Sequence, residues 1–490
     1  MTPDPEGELS YFSKRRKIHP RIVHGRFARL RVVALYLTLG VLYLLPWLRW
    51  GDRPAFLLDL PRRKFYLFGL VLWPQDLIYL TALLVLAALA LFLFTALAGR
   101  VWCGYACPQT VFTQILVWIE RAVEGDRAAQ VRLRARGHRA ELAWKRALKW
   151  TLWTLVAAWT AFSAVGFFTP VRELGTGLLA GSSGRWEAFF LVLFTASILL
   201  FAGFLREQVC IYMCPYARFQ SAMFDRDTLV VSYDGSRGEP RGARSRTDDP
   251  KARGLGDCVS CTLCVQACPT GIDIRDGLQY QCIACTACID ACDGVMDRLG
   301  YARGLIRYTT QNSIEGRRTR FLRPRVLAYS ALMAAITAGL AVSLARRVPL
   351  ELDVFRDRNA AYRETRDGRI ENVYRLRVLN MDQRPREFVL RASGPEGIAA
   401  DYDADHLRLE AGQVRDVPVR LRVPPASLSR RSTEVELELA AADDEHLSVR
   451  ESTRFLGPRP AARREEDDER HEDRREDDRD ESDRSEGGRP

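Results

Sequence analysis

Residues 258–292 read CVSCTLCVQACPTGIDIRDGLQYQCIACTACIDAC. The spacing is Cys258-x2-Cys261-x2-Cys264-x3-Cys268-Pro269, followed by Cys282-x2-Cys285-x2-Cys288-x3-Cys292. It is the bacterial ferredoxin spacing, written twice. Three close thiolates can wrap three corners of a cubane, but a fourth on the same short loop cannot easily reach the last iron, so the remote Cys serves the other centre. The spacing therefore predicts one [4Fe–4S] centre on Cys258, Cys261, Cys264 and Cys292, and a second on Cys282, Cys285, Cys288 and Cys268. Zinc favours two separated C-x2-C pairs and fits this pattern poorly. Asp293 stands where Pro often follows the last ligand; it changes no ligand but places a negative charge near the first centre.

Outside this stretch the chain is a membrane protein. Several windows exceed the ~18 apolar residues that suggest a span, which excludes a plain soluble enzyme. Spans are expected at about Val32–Leu48, Leu77–Leu97, Trp150–Phe168, Ala188–Leu205 and Val326–Leu344. Phe65 to Trp73 is apolar but too short to cross, and reads as an interfacial segment. Lys14, Arg15, Arg16, Lys17, Arg21, Arg26, Arg29 and Arg31 precede the first span, and residues 100–149 carry ten Lys/Arg. The loop between the third and fourth spans carries only Arg172 and Arg185. By the positive-inside rule the N-terminus and both cysteine loops are cytoplasmic, and five spans put the C-terminus outside. The net charge of +11 thus reflects membrane topology and not nucleic-acid binding. Twelve Cys in 490 residues are too sparse for a disulfide-stapled secreted chain.

From Leu350 to about Pro458 the pattern has period two. Residues 373–379, 417–423 and 435–439 alternate apolar with charged side chains, which predicts a small antiparallel sandwich. Residues 463–486 are nearly all Arg, Asp and Glu, and are expected to be a solvated, disordered tail. The expected fold is a membrane α-helical protein of five transmembrane helices, with an inserted 2x[4Fe–4S] ferredoxin-like domain and a C-terminal all-β immunoglobulin-like sandwich. Its parts are a basic cytoplasmic arm (1–31), spans one to four (32–205), a linker (206–250), the ferredoxin-type domain (251–300), a basic linker (301–325), span five (326–344), the sandwich (350–458) and the tail (459–490).

Four cysteines remain. Cys103-Gly-Tyr-Ala-Cys107-Pro108 follows span two, and Cys210-Ile-Tyr-Met-Cys214-Pro215 follows span four. Both segments read C-x-Y-x-C-P. In each, Pro can occupy the first turn of a following helix, where its missing N–H costs nothing. The first such helix places Val111, Phe112, Ile115, Leu116 and Ile119 on one face and is expected on the membrane surface. Paired thiolates are soft ligands suited to Cu(I), and they can also cycle through a disulfide. Met213 adds a thioether. The plainer alternative is that these thiols only brace helix junctions. The six His are scattered and read as surface residues, and no Gly-x-Gly-x-x-Gly unit implies NAD or FAD.

Residues 99–110 (GRVWCGYACPQT), 206–220 (REQVCIYMCPYARFQ) and 268–280 (CPTGIDIRDGLQY) carry a family resemblance. From about Val32 to Pro458 the chain resembles the FixG/RdxA/CcoG proteins, the cytochrome c oxidase accessory proteins. The resemblance implies assembly of cbb3-type cytochrome oxidase, with reduction of Cu(II) to Cu(I) during copper delivery. It also implies a multi-pass protein of the bacterial cytoplasmic (inner) membrane with a periplasmic C-terminal domain. The cofactors are then two [4Fe–4S] clusters, with copper as substrate. Cys103, Cys107, Cys210 and Cys214 become the catalytic, copper-facing thiols. Partners are the lipid bilayer, oxidase assembly factors or copper transporters, and an electron donor that the sequence does not name. Two alternatives stand beside this. One is an electron-transfer subunit linking a quinol pool to a partner enzyme, although such relatives are usually shorter and lack the sandwich. The other is a non-enzymatic assembly scaffold with structural clusters.

Overall fold

The computed structural model describes residues 18–135, 139–244, 254–357, 360–444 and 446–458. The chain forms two compact units, one ending at Leu340 and the other beginning at Ala341. The charged tail and the first 17 residues of the basic arm lie outside the described residues.

Among the described residues, four helices are long and apolar enough to cross a bilayer: Arg26–Trp47, Pro74–Ala98, Arg185–Leu205 and Pro324–Ala345. The expected third span falls within a 27-residue helix, Arg139–Val165. At 1.5 Å per residue that helix is about 40 Å long. Lys149 and the Thr and Trp residues that follow it leave the segment less apolar than the other four. It packs along helix Arg185–Ile198.

Two local expectations change. Residues 65–73 do not form a lone interfacial segment. Strands Lys64–Leu67 and Leu70–Leu72 make an antiparallel sheet with Phe56–Asp59, in register Phe65↔Leu72 and Phe56↔Leu67. The turn at Phe68-Gly69 closes the hairpin, with Phe68 at φ 51°. Helix Pro108–Glu124 does not spend its apolar face on lipid. Leu116 packs on Trp153 and Ala202, flanked by Phe112 and Ile119, and the Trp153 Nε1–H donates to the Leu116 carbonyl at 2.9 Å. Its charges explain the choice. Glu120 and Glu124 are buried and need partners, which Lys149 and Arg206 supply; Arg206 Nη2 lies 2.6 Å from Glu120 Oε2. A membrane surface offers no such partners inside the bilayer boundary.

The cysteine loops sit in a small α/β unit. Strands Val230–Tyr233 and Ile306–Thr309 pair antiparallel, and helices Leu263–Ala267 and Ala287–Leu299 follow the two loops. Its docking is polar and local. Thr228 Oγ1 and Arg323 Nη2 donate to the Ala96 carbonyl at 3.0 and 2.8 Å, and Leu229 N donates to Leu97 O at 3.0 Å. The orphan carbonyls that end helix Leu77–Ala98 are thereby satisfied.

The second unit is a sandwich of two antiparallel sheets. One orders Ala399–Asp401, Val414–Val423, Ile370–Asn380 and Leu350–Arg356, with Arg363–Glu364 beside Ile370–Asn380. The other orders Arg408–Leu409, Arg386–Ser393, Ser432–Ala441 and Ser448–Leu456. The period-two pattern sets which side chains point inward. Tyr374, Leu376 and Val378 meet Val417, Val419, Leu421, Leu437 and Leu439 in the core, while Arg375, Arg377 and Arg420 stay outside.

Candidate functional site

The two cysteine loops share one backbone design. Ser260 and Thr262 flank Cys261 at φ 52° and 57°, and Ala284 and Thr286 flank Cys285 at φ 53° and 59°. Each non-glycine residue enters this left-handed region at a cost of about 1–2 kcal/mol. Alternation of left- and right-handed residues curls a loop so that successive N–H groups face inward, a concavity suited to a cluster. The third Cys of each loop then lies in the first turn of the helix that follows.

The loops enclose two cavities. One is lined by Cys258, Cys261, Cys264 and Cys292, beside Tyr233 and Met296. The other is lined by Cys268, Cys282, Cys285 and Cys288, beside Ile274 and Thr286. Each loop's x3 Cys therefore faces the other loop's cavity, and Cys264 touches both. Among the described residues no three Cys, His, Asp or Glu meet on one ion position. The thiols ring a space instead, as ligands to separate irons do.

Burial sets the chemistry of these donors. It pushes Cys282 and Cys292 up to about 12 and Cys264 up to about 11, and raises Cys285 and Cys288 as well. These five thiols keep their protons until a metal ion binds and makes them thiolates. Loop shape and donor chemistry both fit an iron–sulfur cluster.

The C-x-Y-x-C-P segments repeat as geometry. Cys107 and Cys214 are both extended N-caps, and Pro108 and Pro215 open helices Pro108–Glu124 and Pro215–Met223. Their cysteines come together: Cys103 is within electrostatic reach of Cys107, Cys210 and Cys214, and Cys210 of Cys107 and Cys214. Burial pushes Cys103 and Cys210 up to about 12. It raises Cys107 too, partly offset by the Gln109 and Thr110 N–H groups of the new helix. Cys103 Sγ donates to Gln220 Oε1 at 3.3 Å. Cys103 and Cys210 also pack against the group of Ile283 and Cys285, two residues that line the second cavity. Met213 is 54% exposed and does not share their burial.

Several residues of the site carry no motif of their own. Arg100 is buried and donates to the carbonyls of Tyr280, Cys282 and Ala217, with the bond to Cys282 at 3.2 Å. Its surroundings are Cys103, Cys282, Cys214 and Cys210. Tyr105 shares a 2.7 Å hydrogen bond with Thr286, whereas its counterpart Tyr212 is half exposed. Gly104 permits the contact, because a Cβ there would lie 2.7 Å from the Ala284 carbonyl oxygen. Asp290 accepts the N–H of Phe27 at 3.2 Å and of Ala28 at 2.6 Å. A buried charge next to a Cys motif was the available signal for Arg100. Nothing local announces Asp290.

Of the six His, His24, His406 and His446 are exposed and His19 is half-buried, while His138 and His471 lie outside the described residues.

Family models match three segments: a 4Fe–4S binding domain over residues 80–124, a 4Fe–4S dicluster domain over 205–311, and the Ig-like fold at the C-terminus of FixG over 340–458. Protein RdxA of Cereibacter sphaeroides is 41% identical over 424 residues, 83% of this chain and 87% of that protein. The chain belongs to the FixG/RdxA family. The nitrogen fixation protein FixG of Rhizobium meliloti is 38% identical over 454 residues, 84% of this chain and 86% of that protein. The crystal structure of a FixG-related protein from Vibrio parahaemolyticus is 27% identical, covering 22% of this chain and 95% of its own, at a TM-score of 0.20. This FixG/RdxA member is thus a membrane iron–sulfur protein of oxidoreductase type, built from helices long and apolar enough to span, ferredoxin-type domains and an Ig-like sandwich.

Proposed function

We propose that this protein reduces Cu(II) to Cu(I) for copper delivery during assembly of a cbb3-type cytochrome oxidase. Cys258, Cys261, Cys264 and Cys292 would hold one [4Fe–4S] cluster, and Cys268, Cys282, Cys285 and Cys288 the other. Bound there, such clusters supply one-electron chemistry, which matches the single electron that Cu(II) takes up.

One observation carries the copper reading. Three of the four thiols left over from both rings, Cys103, Cys210 and Cys214, gather around Arg100 beside Cys282; Cys107 is within electrostatic reach of Cys103 and Cys210, and the latter two pack against Ile283 and Cys285. Soft sulfur donors prefer Cu(I), so they draw the reduction forward. Buried thiols with pKa values near 12 hold their protons at neutral pH, so copper capture there releases protons and grows stronger with rising pH. Gln220 holds the Cys103 S–H in place, and Arg100 fixes the two cysteine segments against each other.

The topology is five spans with the N-terminus and clusters cytoplasmic and the sandwich periplasmic. The Arg/Lys asymmetry supports it, and helix Arg139–Val165 is long enough to be the third span, beside the four more apolar helices. The sandwich would meet oxidase assembly factors or copper transporters. A specific observation favours a second reading of the four thiols. The 4Fe–4S model over residues 80–124 covers Cys103 and Cys107, so they could hold iron and sulfide themselves.

One experiment separates the readings. The double variant Cys107→Ser, Cys214→Ser is purified anaerobically, reduced, and mixed with Cu(II). Copper reduction or retention should disappear while iron content and the cluster spectrum stay as in the parent. Loss of iron would make these residues cluster ligands; undiminished copper chemistry would leave them as braces of the helix junctions.

A further inference from the structure

We propose that a cavity against the first membrane helix binds the ring of a lipid-soluble quinol and makes that quinol the electron donor. The inference rests on the reading of the chain as a reductase, and it names the donor that the sequence leaves open.

The cavity holds about 920 Å³, at the upper end of small-molecule sites. Three walls define it. Val32, Val33 and Leu35 come from the first span, so one wall is continuous with the bilayer. Val117 and Trp118 come from helix Pro108–Glu124. The third wall is the second cysteine loop, with Ile283 and Cys285, and Cys210 at its side. A ring bound here would therefore touch the protein shell of a redox centre and the thiol group at once.

The polar groups suit a ring that carries two oxygens. The Gln114 side chain lines the cavity and makes no hydrogen bond among the described residues. Glu207 also lines it, is 8% exposed, and has neither an ion pair nor a hydrogen bond among the described residues. Its carboxylate faces the cavity, where a ligand hydroxyl can donate to it. Oxidation of a quinol breaks two O–H bonds and yields a quinone, two protons and two electrons. Glu207 takes one proton, and water at the mouth beside exposed His24 and Arg29 takes the other. The two electrons match two one-electron acceptors, the two [4Fe–4S] centres, and the apolar quinone returns to the bilayer. The five arginines Arg21, Arg29, Arg31, Arg121 and Arg206 around the same cavity could instead attract the headgroup of an anionic phospholipid, which the test distinguishes.

The full-length protein, purified in detergent with its clusters, is titrated with decylubiquinone and with menadione, and tryptophan fluorescence is followed. Trp118 in the wall should give saturable quenching with at least one of the two, and Trp118→Phe should remove most of that signal. Ala28→Trp, which fills the cavity from the first helix, should weaken binding by about tenfold or more with iron content unchanged. Solvent extraction of the purified protein should release quinone. Absence of saturable quenching with both probes, equal binding in the filled variant at full iron content, or release of stoichiometric phospholipid without quinone would each overturn the proposal. If Ala28→Trp loses iron, Val33→Trp serves as the filling variant under the same criteria. Copper reduction driven by dithionite keeps the two readings apart, because dithionite supplies electrons without a bound quinol and should still do so in the filled variant.

Discussion

Replacing Asp290 should loosen the start of the first membrane helix. That helix begins at Arg26 after Gly25, which has no side chain to cap it. Asp290 fills the role from helix Ala287–Leu299, accepting the N–H groups of Phe27 and Ala28 while only 6% exposed. A Cβ on residue 25 would sit 2.3 Å from Asp290 Oδ1, so the glycine is what lets the carboxylate in. In Asp290→Ala two N–H groups lose a charged acceptor. A lost cap costs about 1 kcal/mol, and a hydrogen bond to a charged group about 1.5–3 kcal/mol, so a total of about 2.5–4 kcal/mol is expected. At 1.4 kcal/mol per tenfold, the lower bound is about 60-fold faster local opening. Hydrogen exchange of a peptide covering residues 20–30, read by mass spectrometry in detergent, measures this. Asp290→Asn keeps one acceptor oxygen and should fall between, and Gly25→Ala should resemble Asp290→Ala. Exchange within about twofold of the parent, at full iron content, would show that the carboxylate does not hold the helix.

Arg100→Met should strip donors from three carbonyls at about 1–3 kcal/mol each, lowering the thermal midpoint and the iron of the centre nearest Cys282; parental iron and midpoint would contradict this. Cys292→Ser should damage the centre of Cys258, Cys261 and Cys264, and Cys268→Ser the other, so electron paramagnetic resonance of the two variants should lose different signals. Identical losses would refute the crossed sets. In metal-free protein, Cys103 and Cys210 keep their protons through neutral pH, so their alkylation should climb with pH toward about 12 and not level off near the free-thiol value of about 8.5. The folded state binds these protons more tightly than the unfolded chain does. Their contribution to stability is therefore full below about pH 8.5 and is lost as pH rises toward 12, and a plateau of alkylation near pH 9 would contradict the burial argument.

What could be read from the sequence was what local spacing determines. The x2, x2, x3 intervals announced two thiol rings, and alternation in residues 417–423 announced which side chains enter the sandwich core. The two prolines after Cys107 and Cys214 announced helix starts. What could not be read was the identity of distant partners. The apolar stripe on helix Pro108–Glu124 says that it is buried, but Trp153 and Lys149, not lipid, bury it. Residues 65–73 look like any short apolar run until Phe56–Asp59 offers a register. Arg100 and Asp290 act across 182 and 263 residues of sequence, a distance over which no periodicity speaks.

That last separation has a consequence for how the protein is made. The helix from Arg26 leaves the ribosome first, yet the carboxylate that completes its amino end is 263 residues behind. At about 5–20 residues per second, synthesis takes on the order of tens of seconds to deliver it. Through that interval the nascent helix sits in the bilayer with its leading amides on water alone. Docking of the cysteine unit then closes the membrane part and finishes the first helix in one late event, so biogenesis of this chain has a defined final step, and chains stalled before residue 290 are left with an open first helix.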